Sequence, residues 1–223
     1  MEDLDDAKPQ RSLDGRKLAL IGIAAAVLVA AALAGWFAWK GHKQKQDETA
    51  IVAAVTAGTP LLREALGGQA GAETVARLDA QVKAVKSAGR SPLADAAEDY
   101  LTGAREIARR RADAARLAPA AAASRQALLA HLAAGGRRGD GWFKQAGDLK
   151  KRMENAHFEL NSALKTLDTL IEGMHGSRTR MQPLVGDKLI VDAAALNNAR
   201  AAVQAELKRT AEELERARQV PIG

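Results

Sequence analysis

Apolar residues recur along this chain in two registers. The first is a solid block: Leu18 to Trp39 is 22 residues without a charge. At about 1.5 Å per helical residue it reaches roughly 33 Å, enough for a bilayer core of about 30 Å. Arg16 and Lys17 precede the block and Lys40 follows it. Trp36, Phe37 and Trp39 cluster at its end, where amphipathic rings favour a membrane interface. The block predicts one transmembrane helix, with Arg16, Lys17, Trp36, Phe37, Trp39 and Lys40 at the interfaces. Gly22, Ala26, Ala30 and Ala34 repeat at steps of four, the spacing of small residues that lets membrane helices dimerise, although so much alanine also makes the pattern easy to reach by chance.

Ala32-Leu33-Ala34 has the form of a signal-peptide cleavage site, but the apolar run is longer than a usual signal core and five acidic residues precede it. The reading is therefore an uncleaved signal anchor. Basic residues are nearly balanced across the block, Lys8, Arg11, Arg16 and Lys17 against Lys40, Lys43 and Lys45, so charge alone sets orientation weakly. A short tail, one span and a large remainder predict a cytoplasmic tail over 1–17, a transmembrane helix over 18–39, a juxtamembrane linker over 40–46 and an extracytoplasmic domain over 47–223.

The second register begins at Asp47 and is helical, with apolar residues three and four apart and glycine or proline between segments. It predicts a helix over 47–57 stopped by Gly58-Thr59-Pro60, a short turn over 61–66, and a helix over 72–87 carrying Val75, Leu78, Val82 and Val85. Ser91-Pro92 is a start signal, a serine cap with proline at the first helical position. The helix it opens runs to about 117, and Pro119 either kinks it or separates it from a segment over 120–134.

The longest stripe joins Ala146, Leu149, Met153, Ala156, Leu160, Ala163, Leu167, Leu170 and Met174. That is four heptads, the seam of a coiled coil or long bundle helix over about 141–175. A polar stretch over 177–191 follows. A last helix over about 192–219 carries Leu196, Val203, Leu207, Thr210, Leu214 and Ala217, with Arg200 intruding. The expectation is an all-α protein, one transmembrane helix followed by an antiparallel, coiled-coil-like bundle.

Composition sharpens this picture. Alanine accounts for 50 of 223 residues and aromatics for 3%, which favours helix over sheet. Abundant Ala, Arg and Gly suggest a bacterial coding sequence, and hence an inner-membrane protein with its bulk in the periplasm. The absence of cysteine excludes disulfides, thiolate metal sites and a cysteine nucleophile.

No catalytic pattern emerges. Phosphate-binding loops, dinucleotide fingerprints, zincin motifs and nucleophile elbows are all missing. Glu154-x-x-His157 and Glu172-x-x-His175 have di-iron spacing, but both fall on one predicted helix about 27 Å apart, so surface charge and packing explain them better. The chain carries a net charge of +6 with few aromatic stacking platforms, which disfavours nucleic acid. Arg137, Arg138, Trp142 and Phe143, a basic glycine loop followed by two large rings, form the candidate partner-binding site, since Trp and Arg are enriched at hot spots. The plainer reading of Trp142 and Phe143, and the one their size favours, is that they cap one end of the core.

These features predict a non-enzymatic, single-pass scaffold or interaction protein of a bacterial envelope assembly, needing no cofactor. Its partners would be the membrane and other envelope proteins, with a second copy of the chain also considered. The alternative is an extracytoplasmic sensor-type bundle that binds a small molecule and signals through a partner.

Overall fold

A stripe of apolar residues at steps of three and four keeps a helix going here even across glycine and proline. The computed structural model describes residues 15–134 and 139–219, with side chains from residue 32 onward in those ranges. Five α-helices follow in order: α1 (Gly15–Leu66), α2 (Ala72–Ser87), α3 (Pro92–Ala133), α4 (Asp140–Val185) and α5 (Ala193–Arg218), with a 3₁₀ turn at Asp187–Leu189. No strand occurs among the described residues, and the architecture is a helical bundle. The chain divides after Gln46 into two units.

In the first unit α1 carries the sequence's apolar block. Side chains of 18–31 lie outside the description, and among the described residues no helix is long and apolar enough to cross a membrane. The side chains that are described, from Ala32 to Gln46, are all exposed, Leu33, Trp36, Phe37 and Trp39 included.

In the second unit the expected break at Gly58-Thr59-Pro60 does not occur. Ile51, Ala54, Val55, Leu61, Leu62 and Ala65 are all buried and form one continuous stripe in α1. Gly58 belongs to that stripe. A Cβ there would run into Leu101 Cδ2, so glycine allows α1 and α3 to touch rather than ending the helix. The three helix-internal prolines, Pro60, Pro119 and Pro183, are each exposed, where a missing N–H disturbs no packed face. Pro119 accordingly leaves α3 intact. The helix expected to stop near 175 runs on to Val185 for the same reason: Met174, Ser177 and Met181 continue its buried stripe. The connection to α5 is correspondingly shorter than the polar sequence suggested.

Direction follows from residue pairs. Asp99–Arg180, Gly103–Met174 and His131–Trp142 set α3 antiparallel to α4. Asp168–Arg200, Asn161–Thr210 and Glu154–Arg218 set α5 antiparallel to α4. Lys86–Glu98 and Asp79–Arg105 do the same for α2 and α3. Residues 47–66 of α1 run with α3.

Two cores result. The larger joins all five helices and includes Leu62, Leu78, Leu101, Ile107, Leu164, Ile171 and Leu196. Beyond the turn between α1 and α2, only α3, α4 and α5 continue among the described residues. They share a separate small core of Leu128, Met153 and Ala217, flanked by Leu132, Leu149 and Leu214. Alanines fill much of the inner face of α3, among them Ala97, Ala104, Ala108, Ala114 and Ala121. Small side chains permit close approach, but each buries little apolar surface.

One polar chain ties the five-helix end. Val191 N–H donates to the Tyr100 hydroxyl at 3.0 Å, Tyr100 and Thr59 hydroxyls lie 3.1 Å apart, and Thr59 donates to the Leu189 carbonyl at 2.7 Å. Burial raises the Tyr100 phenol above its ordinary range, against the bonds to Thr59 and Val191. It stays protonated and donates onward to Thr59. α3 and α5 open on side-chain caps: Ser91 accepts from Ala94 N–H at 3.0 Å, and Asp192 from Ala195 N–H at 2.7 Å.

Candidate functional site

The predicted interface residues fall on α1. Trp36, Trp39, Lys40 and Lys43 are spaced three, four and seven apart, so they share one helical face. The Trp36 and Trp39 rings sit 5.7 Å apart, tilted by 40°, and Lys43 Nζ lies 5.6 Å from the Trp39 ring centroid. Trp36 is 58% exposed, Phe37 67% and Trp39 57%. Lys40 is exposed beside them. Arg16 and Lys17, and the small-residue positions Gly22, Ala26 and Ala30, lie on α1 where side chains are outside the description; Ala34 is exposed.

Of the proposed partner-binding group, Arg137 and Arg138 lie outside the described residues. Trp142 is half-buried and stacks on His131, centroids 5.0 Å apart. His131 Nε2 lies 3.2 Å from the Trp142 carbonyl oxygen, and an acceptor there assigns the proton to Nε2. Phe143 meets Trp142 edge-on at 5.2 Å and remains 40% exposed. Trp142 thus packs across the α3–α4 turn, while Phe143 faces outward.

The Glu-x-x-His residues are separated by their environments. Glu154 pairs with Arg218 at 3.1 Å, and Glu172 with Arg200 at 3.0 Å. His157 is 1% exposed, whereas His175 is half-exposed. Among the described residues no cluster of three or more histidines and carboxylates could hold a metal ion. Several arginines of the basic clusters are committed within the fold: Arg110 to Asp113, Arg111 to Glu206, Arg178 to Asp187 and Arg180 to Asp99.

The surface of the described residues includes two open grooves. One, of about 400 Å³, lies between α3 and α4, lined by Arg110, Arg116, Leu117 and Glu159, with Phe158 73% exposed beside it. The other, of about 380 Å³, lies among α1, α3 and α5, lined by Arg63, Arg111, Ala195, Ala199 and Ala202. Sequence spacing did not single out Phe158 or the burial of His157. His157 lies four residues after Met153 and three before Leu160, and that spacing was the available signal.

Comparison with known protein families, with characterised proteins and with solved structures finds no match.

Proposed function

We propose that this chain is a single-pass, membrane-anchored helical scaffold of a bacterial envelope assembly, acting by binding rather than catalysis. Residues 18–39 form the anchor, and the bundle from Asp47 onward is displayed in the periplasm. The carrying observation is the end of the uncharged run: Trp36, Phe37 and Trp39 are exposed on α1, with Lys40 and Lys43 following them. Large exposed rings next to cations suit the level where acyl chains give way to headgroups. Phe143 and Phe158 supply exposed aromatic surface on the bundle for a protein partner.

A carboxy-terminal reporter fusion tests the orientation; an enzyme active only outside the cytoplasm is expected to work there, and one active only inside is expected to fail. Co-purification in mild detergent tests the scaffold role. A partner at a fixed ratio is expected, with Phe143→Ala and Phe158→Ala lowering its recovery. A lone monomer would contradict it.

The groove among α1, α3 and α5 favours a second reading, a sensor-type bundle that takes a small carboxylate. Arg63 lines it beside Arg111, which is paired with Glu206, and Asn198 adds an amide. A thermal-shift screen of organic acids and amino acids is the test, since a ligand of the native state raises the midpoint by mass action.

A further inference from the structure

The small core at the three-helix end meets the large core at a polar layer. Thr210, buried on α5, donates to Asn161 of α4 at 2.6 Å. Beside it on α4 lies His157, 1% exposed, with neither ring nitrogen hydrogen-bonded. The charged groups facing it come from both neighbouring helices: Arg125 of α3, and Glu213 and Arg218 of α5. They are already paired, Arg125 to Glu213 at 3.5 Å and Arg218 to Glu154 of α4 at 3.1 Å. A proton added to His157 therefore finds two guanidiniums and one engaged carboxylate.

We infer that the three-helix end is an acid-releasable latch, held closed by the neutral imidazole of His157. Burial pushes that imidazole below its ordinary range; Glu213 opposes the shift, and Arg125 and Arg218 reinforce it. The folded form thus binds the proton less readily than the open form. The sign follows: closure is fully stabilised above the open-state value of about 6.5 and weakens as pH falls from there through the folded-state value. Because the two cores are separate clusters, opening exposes Leu128, Leu132, Leu149 and Met153 without dismantling the five-helix end.

Amide hydrogen exchange on the full chain in nonionic detergent, from about pH 7.5 to about pH 5, tests this within the range of histidine titration. Protection in 120–134, 140–157 and 207–218 is expected to fall on acidification, approaching tenfold per pH unit, the limit for one proton. Protection in 51–110 is expected to hold. His157→Leu and His157→Gln remove the titrating group, one apolar and one polar. Both are expected to abolish the pH dependence, whatever their stability at neutral pH. His131→Gln, at the same end, is expected to keep it. The latch is overturned if the wild type shows no selective loss at the three-helix end, if either His157 variant keeps the wild-type dependence, or if His131→Gln abolishes it.

Discussion

Tyr100 shows how one side chain can fix a connection. Its hydroxyl accepts from Val191 N–H and pairs with Thr59, inside a core that offers no substitute. Removing it leaves a buried donor unsatisfied, at a cost of about 1–3 kcal/mol. Tyr100→Phe is expected to lower stability by that amount in chemical denaturation, and an unchanged midpoint would show that water replaces the bond. Gly58 works by absence. Gly58→Ala gains about 0.5–1 kcal/mol of helix propensity but forces a methyl into Leu101, and overpacking costs about 1–3 kcal/mol, so the net effect is destabilising. With Leu101→Ala added, the methyl enters vacated space. The double variant is expected to be less destabilised than the sum of the two single ones. Neither role was legible from spacing. A lone tyrosine and a glycine beside a threonine and a proline read as a core residue and a stop signal. Their partners lie some 40 to 90 positions away in the sequence.

At the scale of elements, periodicity carried most of the information. The stripe from Ala146 to Met174 marked α4: Ala146, Met153, Leu160, Ala163, Leu167 and Met174 are buried, and Leu149, Ala156 and Leu170 half-buried. The failures were all at boundaries, and all in one direction. Gly58-Thr59-Pro60 and the polar residues after 175 suggested ends, and Pro119 an end or a kink, yet α1, α4 and α3 pass through them. Tertiary burial on the opposite face outweighs the local penalty, which for an internal proline is about 3 kcal/mol. The penalty should be recoverable. Pro119→Ala, on an exposed position of α3, is expected to raise stability by roughly 1–2 kcal/mol, less than the full propensity difference because proline also restricts the unfolded chain. A loss of stability would mean that a bend at Pro119 is needed to seat Ala114 and Ala121 against α4. The caps at Ser91 and Asp192 are local devices, and local sequence sufficed to find them.

For the whole molecule, the sequence indicated helices, their order and an antiparallel hairpin, but not the unequal ends. Only the packing shows that α1 and α2 stop short, leaving α3, α4 and α5 with a core of their own. Nor did the candidate site emerge as one place: Trp142 is half-buried against His131, Phe143 and Phe158 are exposed on α4, and Arg137 and Arg138 lie outside the described residues. The proposal of an anchor rests on the unbroken uncharged run of 22 residues together with the exposed rings at its end. The most direct measurement is alkaline carbonate extraction of membranes from cells expressing the full chain, beside a version lacking 18–39. Retention of the full chain in the membrane pellet, with release of the shortened one, is the result this account predicts. Release of both into the supernatant would contradict it.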